Sequence, residues 1–346
     1  MQALTTADLV AAFTDELRLC RLTSDEHLVI LAEPTSRQDY IGAAFAAGKA
    51  LGAHVLVVTA PGGGPTPVPP THTGAGSGLE SVLTDDLAIG TLTGADLVVD
   101  LTREGFIHAP VQQTILAAGT RILFVCDPPE VLVRNMPTPA DKIRVTDAVG
   151  KIRSSTSMHV TSVAGTDLVV DISNCHPGFQ TGFADDPGRW DHWPSTMAMC
   201  WPEVSNGQIV LAPGDIVLPF KDYVVDETVL TIVNGYIDTI AGGFTAQMLR
   251  QYFADTEDKW GRYLSHMGWG LMHSADWFAH ALYAKHELMG MDARAFAGNF
   301  LWSTGPHPFL DRDSYAHLDI AMRNCTISLD GVPVVEAGTL VGKTSL

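Results

Sequence analysis

Residues 315–323, Tyr-Ala-His-Leu-Asp-Ile-Ala-Met-Arg, alternate with a period of two: Leu318, Ile320 and Met322 point one way, His317, Asp319 and Arg323 the other. That is the pattern of a strand with one face in the core. His317 and Asp319 then leave the same face, and a rigid strand would fix the distance between an imidazole and a carboxylate that could share a divalent metal. Taken alone, such a pair is more often a satisfied polar contact than a metal site, and it needs a third ligand before it carries weight. Downstream, 324–329, Asp330-Gly331 and 332–335 predict a hairpin closed by an Asp-Gly turn, so the pair belongs to a C-terminal antiparallel sheet.

Working outward, the first half alternates strand and helix. Apolar strands are expected at 27–32, 54–59, 95–101 and 121–126, with an Ala-rich helix at 37–52 and another at 111–118. Continuous apolar strands with helices between them imply a parallel sheet covered on both faces, with function in the loops beyond the strands' C-terminal ends. Two such loops stand out. The Gly/Pro-rich stretch 61–78 lacks the dinucleotide and phosphate-loop patterns and reads as a mobile surface loop or lid. The segment 102–108 brings a hydroxyl, charges, Phe106 and His108 together; His108 is a candidate for proton transfer or a surface histidine near a helix start.

A charged helix at 141–154 leads out of this domain, so the expected division is 1–150, an N-terminal α/β domain, and 151–346, a C-terminal α+β metal-binding domain. Strands follow at 158–163 and 167–172. A polar, aromatic loop then spans 174–203 and contains His176, Trp190, His192 and Trp193. Further short strands are expected at 208–212, 216–218, 223–225, 229–233 and 236–240, and helices at 244–255 and 277–288. His266, His273 and His280 recur every seven residues, but Gly268 and Gly270 argue against the helix that would make them a stripe. Of the three, His266 is kept as a ligand candidate.

Composition narrows the function. At 346 residues, with 46% hydrophobic and 17% charged residues, the chain is globular with room for two domains. A formal charge of -18, from 21 Lys plus Arg against 39 Asp plus Glu, is the wrong sign for nucleic acid or an anionic membrane surface. The first 19 residues pattern as an amphipathic helix rather than a signal peptide, and no apolar run approaches the roughly 18–20 residues of a membrane span, so a cytoplasmic protein is expected. The five cysteines are scattered, without a Cys-x-x-Cys pair, and are expected to pack.

Three stretches carry a family resemblance. His192-Trp-Pro-Ser-Thr-Met197-Ala-Met-Cys-Trp-Pro-Glu203 falls where thermophilic aminopeptidases have Asn-x-Pro-x-Gly-Glu-Val-Phe-Thr-x-Pro. Leu264-Ser-His266-Met-Gly-Trp-Gly-Leu-Met272 falls on their Glu-Phe-Gly-x-Gly-x-Asn, and Tyr315-Ala-His317-Leu-Asp319 on their His-x-Asp strand. The chain thus resembles an aminopeptidase T-like scaffold, and more closely the 2,5-dihydroxypyridine 5,6-dioxygenases. Met197 and His266 stand where the peptidases have metal-binding glutamates, which removes the carboxylates a two-metal hydrolase needs.

The resemblance implies that His266, His317 and Asp319 hold one Fe(II) as a two-histidine, one-carboxylate set, with His108 and His192 near the substrate as proton carriers and Trp193 and Phe106 as pocket walls. It further implies ring cleavage of 2,5-dihydroxypyridine by O2 to N-formylmaleamate, in a homo-oligomer. The alternatives are a metal-dependent aminopeptidase on the same scaffold and a non-catalytic binding homologue. A nucleotide-binding oxidoreductase lacks its glycine fingerprint.

Overall fold

The structure, a computed structural model, describes residues 4–60, 85–103, 105–107, 109, 111–125, 127–218, 220–314 and 316–342. The stretch 61–78 lies outside them. Two compact units result, the first comprising Met1–Pro139, Gln180–Ser195 and His286–Met289, and the second Ala140–Phe179, Thr196–Lys285 and Gly290–Leu346. Set beside the expected single boundary at 150, the helix Pro139–Arg153 falls in the second unit, and two later segments return to the first.

In the first unit, strands run in the order His54–Thr59, His27–Ala32, Leu97–Asp100, Arg121–Val125 and Trp190–Trp193, every pair parallel. The apolar runs are continuous because alternate residues feed two cores. Leu28, Ile30, Leu97, Val99 and Leu123 enter one, which is built on Leu9, Phe13 and Leu17 of the helix Thr6–Leu19 and on Ala43, Ala44 and Ala47 of the helix Gln38–Ala50. Val29, Leu31, Val98 and Ile122 enter the other, with Leu92 and Ile115 from helices Asp86–Thr93 and Val111–Ala117.

Local chemistry sets the helices in place. Thr5 and Asp8 form a reciprocal capping box that starts the first helix, with the Thr5 amide donating to Asp8 Oδ2 at 2.8 Å. Phe13 is fully buried and meets Tyr40 and Trp193 edge-on at centroid distances of 5.6 and 5.1 Å. Burying one such ring contributes about 2–3 kcal/mol.

The fifth parallel strand was expected as part of a loop. Its polar residues hide it from a hydropathy pattern: Asp191 is fully buried and accepts from the amides of Thr181, Gly182 and His192 at 2.9–3.1 Å, while pairing with Arg189. A carboxylate satisfied in this way can occupy a strand that apolar counting misses. The expected loop also contains strands His176–Gln180 and Met197–Trp201.

The second unit holds two sheets. The eight-stranded one is antiparallel throughout and includes the hairpin Cys325–Leu329/Val332–Glu336. Its turn residues Asp330 and Gly331 have φ of 46° and 82°, as a tight hairpin turn requires. The seven-stranded sheet runs Asp222–Tyr223, Ile216–Leu218, Asp319–Met322, Phe300–Thr304, Leu264–Gly270, Met197–Trp201 and His176–Gln180.

Asp319–Met322 and the hairpin after it therefore lie in different sheets, and the chain changes sheet at Asn324, whose φ is 59°. That strand pairs on both sides, and all four of its residues are buried, so it has no solvent face as the alternation had implied. Leu264–Gly270 is a strand, and its glycines serve close approach: a Cβ on Gly268 would collide with the Ala198 carbonyl oxygen of the neighbouring strand. The helix expected over 277–288 is a single turn, Ala279–Leu282. Among the described residues, no helix is long and apolar enough to cross a membrane.

Candidate metal centre

Three side chains expected as ligands converge. Among the described residues, His266, His317 and Asp319 form the cluster of potential metal ligands, with donor atoms within 4.8 Å of one another. His317 and Asp319 are 2% and 4% exposed, and His266 is partly buried.

Each is held by main-chain pairing and short polar contacts. His317 enters the strand Asp319–Met322 with its amide donating to Tyr252 Oη at 3.0 Å and its ring Nδ1 2.7 Å from the Thr304 carbonyl oxygen. A carbonyl only accepts, so the proton sits on Nδ1 and the Nε2 lone pair is left for a cation. His266 sits where the pairing of Leu264–Gly270 with Phe300–Thr304 shifts register between Leu264 and Met267. Such an irregularity re-aims a side chain. Ser303 fills the gap, its hydroxyl accepting from the His266 amide at 3.0 Å and donating to the His266 carbonyl at 3.2 Å. Ser303 is also the register partner of Asp319, so one residue ties both ligand strands together.

Asp319 lies between two imidazoles and a guanidinium. Oδ1 is 3.2 Å from His266 Nε2 and accepts no hydrogen bond; Oδ2 is 3.6 Å from His317 Nε2 and accepts from Arg294 Nε at 2.8 Å. Burial alone would raise the carboxyl's pKa, but His317, Arg294 and His266 outweigh it and hold Asp319 well below the usual carboxylate range. The His317 Nε2 lone pair, turned toward the Asp319 carboxylate, is unfavourably placed unless a cation lies between them. Two imidazoles and one carboxylate around such a gap fit a divalent transition metal with open positions, ferrous iron among them.

His192 belongs to the first unit, on the strand Trp190–Trp193, with its ring stacked on Phe124 at 4.8 Å. His108 lies outside the described residues. Trp193 and Phe106, expected as pocket walls, are 0% and 1% exposed and belong to the two cores of the first unit. Trp201, in the same unit as the ligands, lies edge-on to His266 at 5.7 Å. Gly178 seats it, because a Cβ there would strike the indole. Phe309 follows at 5.7 Å from Trp201 and stacks on His176 at 3.8 Å.

Sequence reasoning missed Trp201, Tyr252, Arg294 and Ser303. Each is common in a core or at a surface, and only its placement beside a ligand distinguishes it.

The two units together define an aminopeptidase T-like chain. AmpT from Thermus thermophilus matches it with a TM-score of 0.63 at 13% identity, over 96% of this chain and 99% of that one, a likeness of fold alone. Closer in sequence is 2,5-dihydroxypyridine 5,6-dioxygenase of Pseudomonas putida, 41% identical over 341 residues, which are 97% of this chain and 96% of that protein. A solved structure of 2,5-dihydroxypyridine dioxygenase from Pseudomonas putida KT2440 matches with a TM-score of 0.95 at 39% identity, covering 99% of this chain and all of that one (100%). The family's sequence profile, described as 2,5-dihydroxypyridine 5,6-dioxygenase, matches residues 8–342. The chain belongs to the 2,5-dihydroxypyridine 5,6-dioxygenase family.

Proposed function

We propose that this chain is a mononuclear Fe(II) dioxygenase of the extradiol type that cleaves 2,5-dihydroxypyridine between carbons 5 and 6 with O2, giving N-formylmaleamate in nicotinate breakdown. The observation that carries the metal assignment is the convergence of His266, His317 and Asp319 with their donor atoms turned toward one another. Family membership supports the substrate.

In this reading His266 Nε2, His317 Nε2 and Asp319 hold the metal, which supplies a redox-active Lewis acid where ring and oxygen meet. The chain's own residues do the rest. Thr304 orients the His317 ring, Tyr252 holds the His317 main chain, and Arg294 holds Asp319 ionised. Trp201 offers an aromatic edge beside His266 and helps to keep water from it. His108 and His192 are the proposed proton carriers, since an imidazole exchanges protons near working pH. A cytoplasmic homo-oligomer belongs to the same proposal.

Oxygen uptake after anaerobic loading with Fe(II) tests it. Addition of 2,5-dihydroxypyridine should start uptake at one O2 per N-formylmaleamate formed, with one iron per chain. No uptake would reject the reaction. Two divalent ions per chain with release of amino acids from peptides would favour the aminopeptidase instead.

A further inference from the structure

The two oxygens of Asp319 have different partners. Oδ1 faces His266 Nε2 at 3.2 Å, whereas Oδ2 accepts the buried Arg294 Nε at 2.8 Å. We propose that Arg294 is a positioning residue which, by occupying Oδ2, restricts Asp319 to one-oxygen ligation through Oδ1 and so keeps coordination positions open for substrate and oxygen. This rests on the metal reading above. Charge-assisted hydrogen bonds are the stronger kind, and a guanidinium donating along one carboxylate oxygen biases that oxygen away from a second role.

The fold fixes where the guanidinium sits. Arg294 closes a one-turn helix, Met291–Arg294, that Gly290 starts at φ 92°; the amides of Ala293 and Arg294 both donate to the Gly290 carbonyl at 3.1 Å. So short a helix has little stability of its own. Asn299, fully buried, holds it from outside. Its Nδ2 donates to the carbonyls of Ala293 at 2.6 Å and Arg294 at 2.9 Å, and its Oδ1 accepts the Gly270 amide at 2.7 Å.

Gly270 ends the strand that carries His266, and a Cβ there would run into the backbone of Ala295 and Phe296. The Arg294 backbone is thereby tied to one ligand strand while its side chain grips the ligand of another. A neighbouring imidazole does not compete for the guanidinium as an anion would. His280 is buried, and burial first, then the charges of Arg294, Lys221 and Lys285, press its pKa down to about 3, which leaves it neutral.

The test uses the intact wild-type chain and Arg294 variants. In wild-type protein loaded with Co(II) as a spectroscopic stand-in, X-ray absorption and a metal-loaded crystal structure should show two imidazole nitrogens and a single Asp319 oxygen bonded. Bonding of both oxygens would overturn the proposal. Arg294→Met should still take up one metal per chain, with affinity lowered about 10–100-fold, as for other groups that orient a ligand. Its Co(II) visible spectrum should lose intensity as the freed carboxylate adds a second bond. Arg294→Lys, which keeps the charge but not the planar fork, should recover part of the affinity. Wild-type affinity and spectrum in Arg294→Met would also sink the idea. Should that variant fail to fold, the wild-type coordination count alone decides. Absence of any metal from all these proteins would instead reject the metal centre itself.

Discussion

His317 Nδ1 and the Thr304 carbonyl oxygen, 2.7 Å apart and both buried, decide that Nε2, which faces Asp319, is the ring nitrogen able to bind a metal. The main chain around the ring is anchored separately, through Tyr252 and through the Thr304 amide, which donates to the Leu318 carbonyl at 2.9 Å. His317→Ala should therefore lose the metal and keep the fold. The expected result is a fall from one iron per chain to none after anaerobic loading, with the circular dichroism spectrum unchanged. Full iron content and the wild-type rate in this variant would show that His317 is not a ligand.

Tyr252 tests whether the main chain entering the ligand strand must be held. Its hydroxyl, 4% exposed as a residue, accepts the His317 amide at 3.0 Å and lies 3.4 Å from the His317 carbonyl oxygen. Tyr252→Phe keeps the packing and strands a buried amide, which costs about 1–3 kcal/mol. Denaturant melts should register that loss, and metal titration should show affinity lowered about tenfold. Melts and titrations matching the wild type would mean that the amide finds another acceptor.

His108 is the proposed proton carrier in the segment after Leu97–Asp100. His108→Ala should leave one iron per chain and slow turnover about 10²–10⁴-fold, the range for loss of a general acid or base. The limb of the pH–rate profile due to that imidazole should disappear. Identical profiles for variant and wild type would remove His108 from the mechanism.

The two strands that bracket the site's near edge meet at Gly268. A Cβ there would overlap the Ala198 carbonyl oxygen and stand 2.6 Å from Met199 Cα, both backbone atoms that cannot swing aside. Gly268→Ala must open the pairing of Leu264–Gly270 with Met197–Trp201, the strands of His266 and Trp201. We expect destabilisation of at least about 3 kcal/mol, at the upper end of single-residue effects. A wild-type melting temperature for this variant would contradict the register.

The first four strands of the parallel unit were legible because they are continuous apolar runs, and the first helix because the Thr5–Asp8 capping box marks its start. Leu28 to Leu31 and Val98 read as buried in any register. The sequence carried the ligand triad through His266, His317 and Asp319, residue types whose grouping is diagnostic once a family pattern aligns them. What it hid follows from two physical causes. Asp191 and His192 lie in a buried strand where the Asp191 carboxylate is satisfied by the amides of Thr181, Gly182 and His192 and by Arg189, contacts that hydropathy does not register, so the pattern points to a loop. Arg294 and Ser303 act only through contacts with residues 25 and 37 positions away, respectively, and spacing along one chain contains no trace of such pairs.

Asp100 gives the chain a pH dependence of stability with a definite sign. It ends the strand Leu97–Asp100 fully buried, with Oδ1 accepting from the Thr102 amide at 3.0 Å and hydroxyl at 2.6 Å, and with Oδ2 making no hydrogen bond. Burial raises its pKa to about 7 against the lowering effect of the Thr102 bonds, and the nearby Glu33 charge adds to the rise. In the unfolded chain an aspartate titrates near about 3.9. Below that value both states hold the proton, and the group does not penalise folding. As pH climbs toward about 7, the unfolded state ionises first and gains, so stability falls; above about 7 the loss is complete. Three units at roughly 1.4 kcal/mol each make the full effect on the order of 4 kcal/mol. Asp100→Asn keeps an acceptor for Thr102 and removes the titration. Urea melts from pH 4 to pH 8 should therefore show the variant gaining on the wild type through this window and levelling off above it. A stability difference that is flat in pH, or that runs the other way, would place an ionised carboxylate in the folded unit.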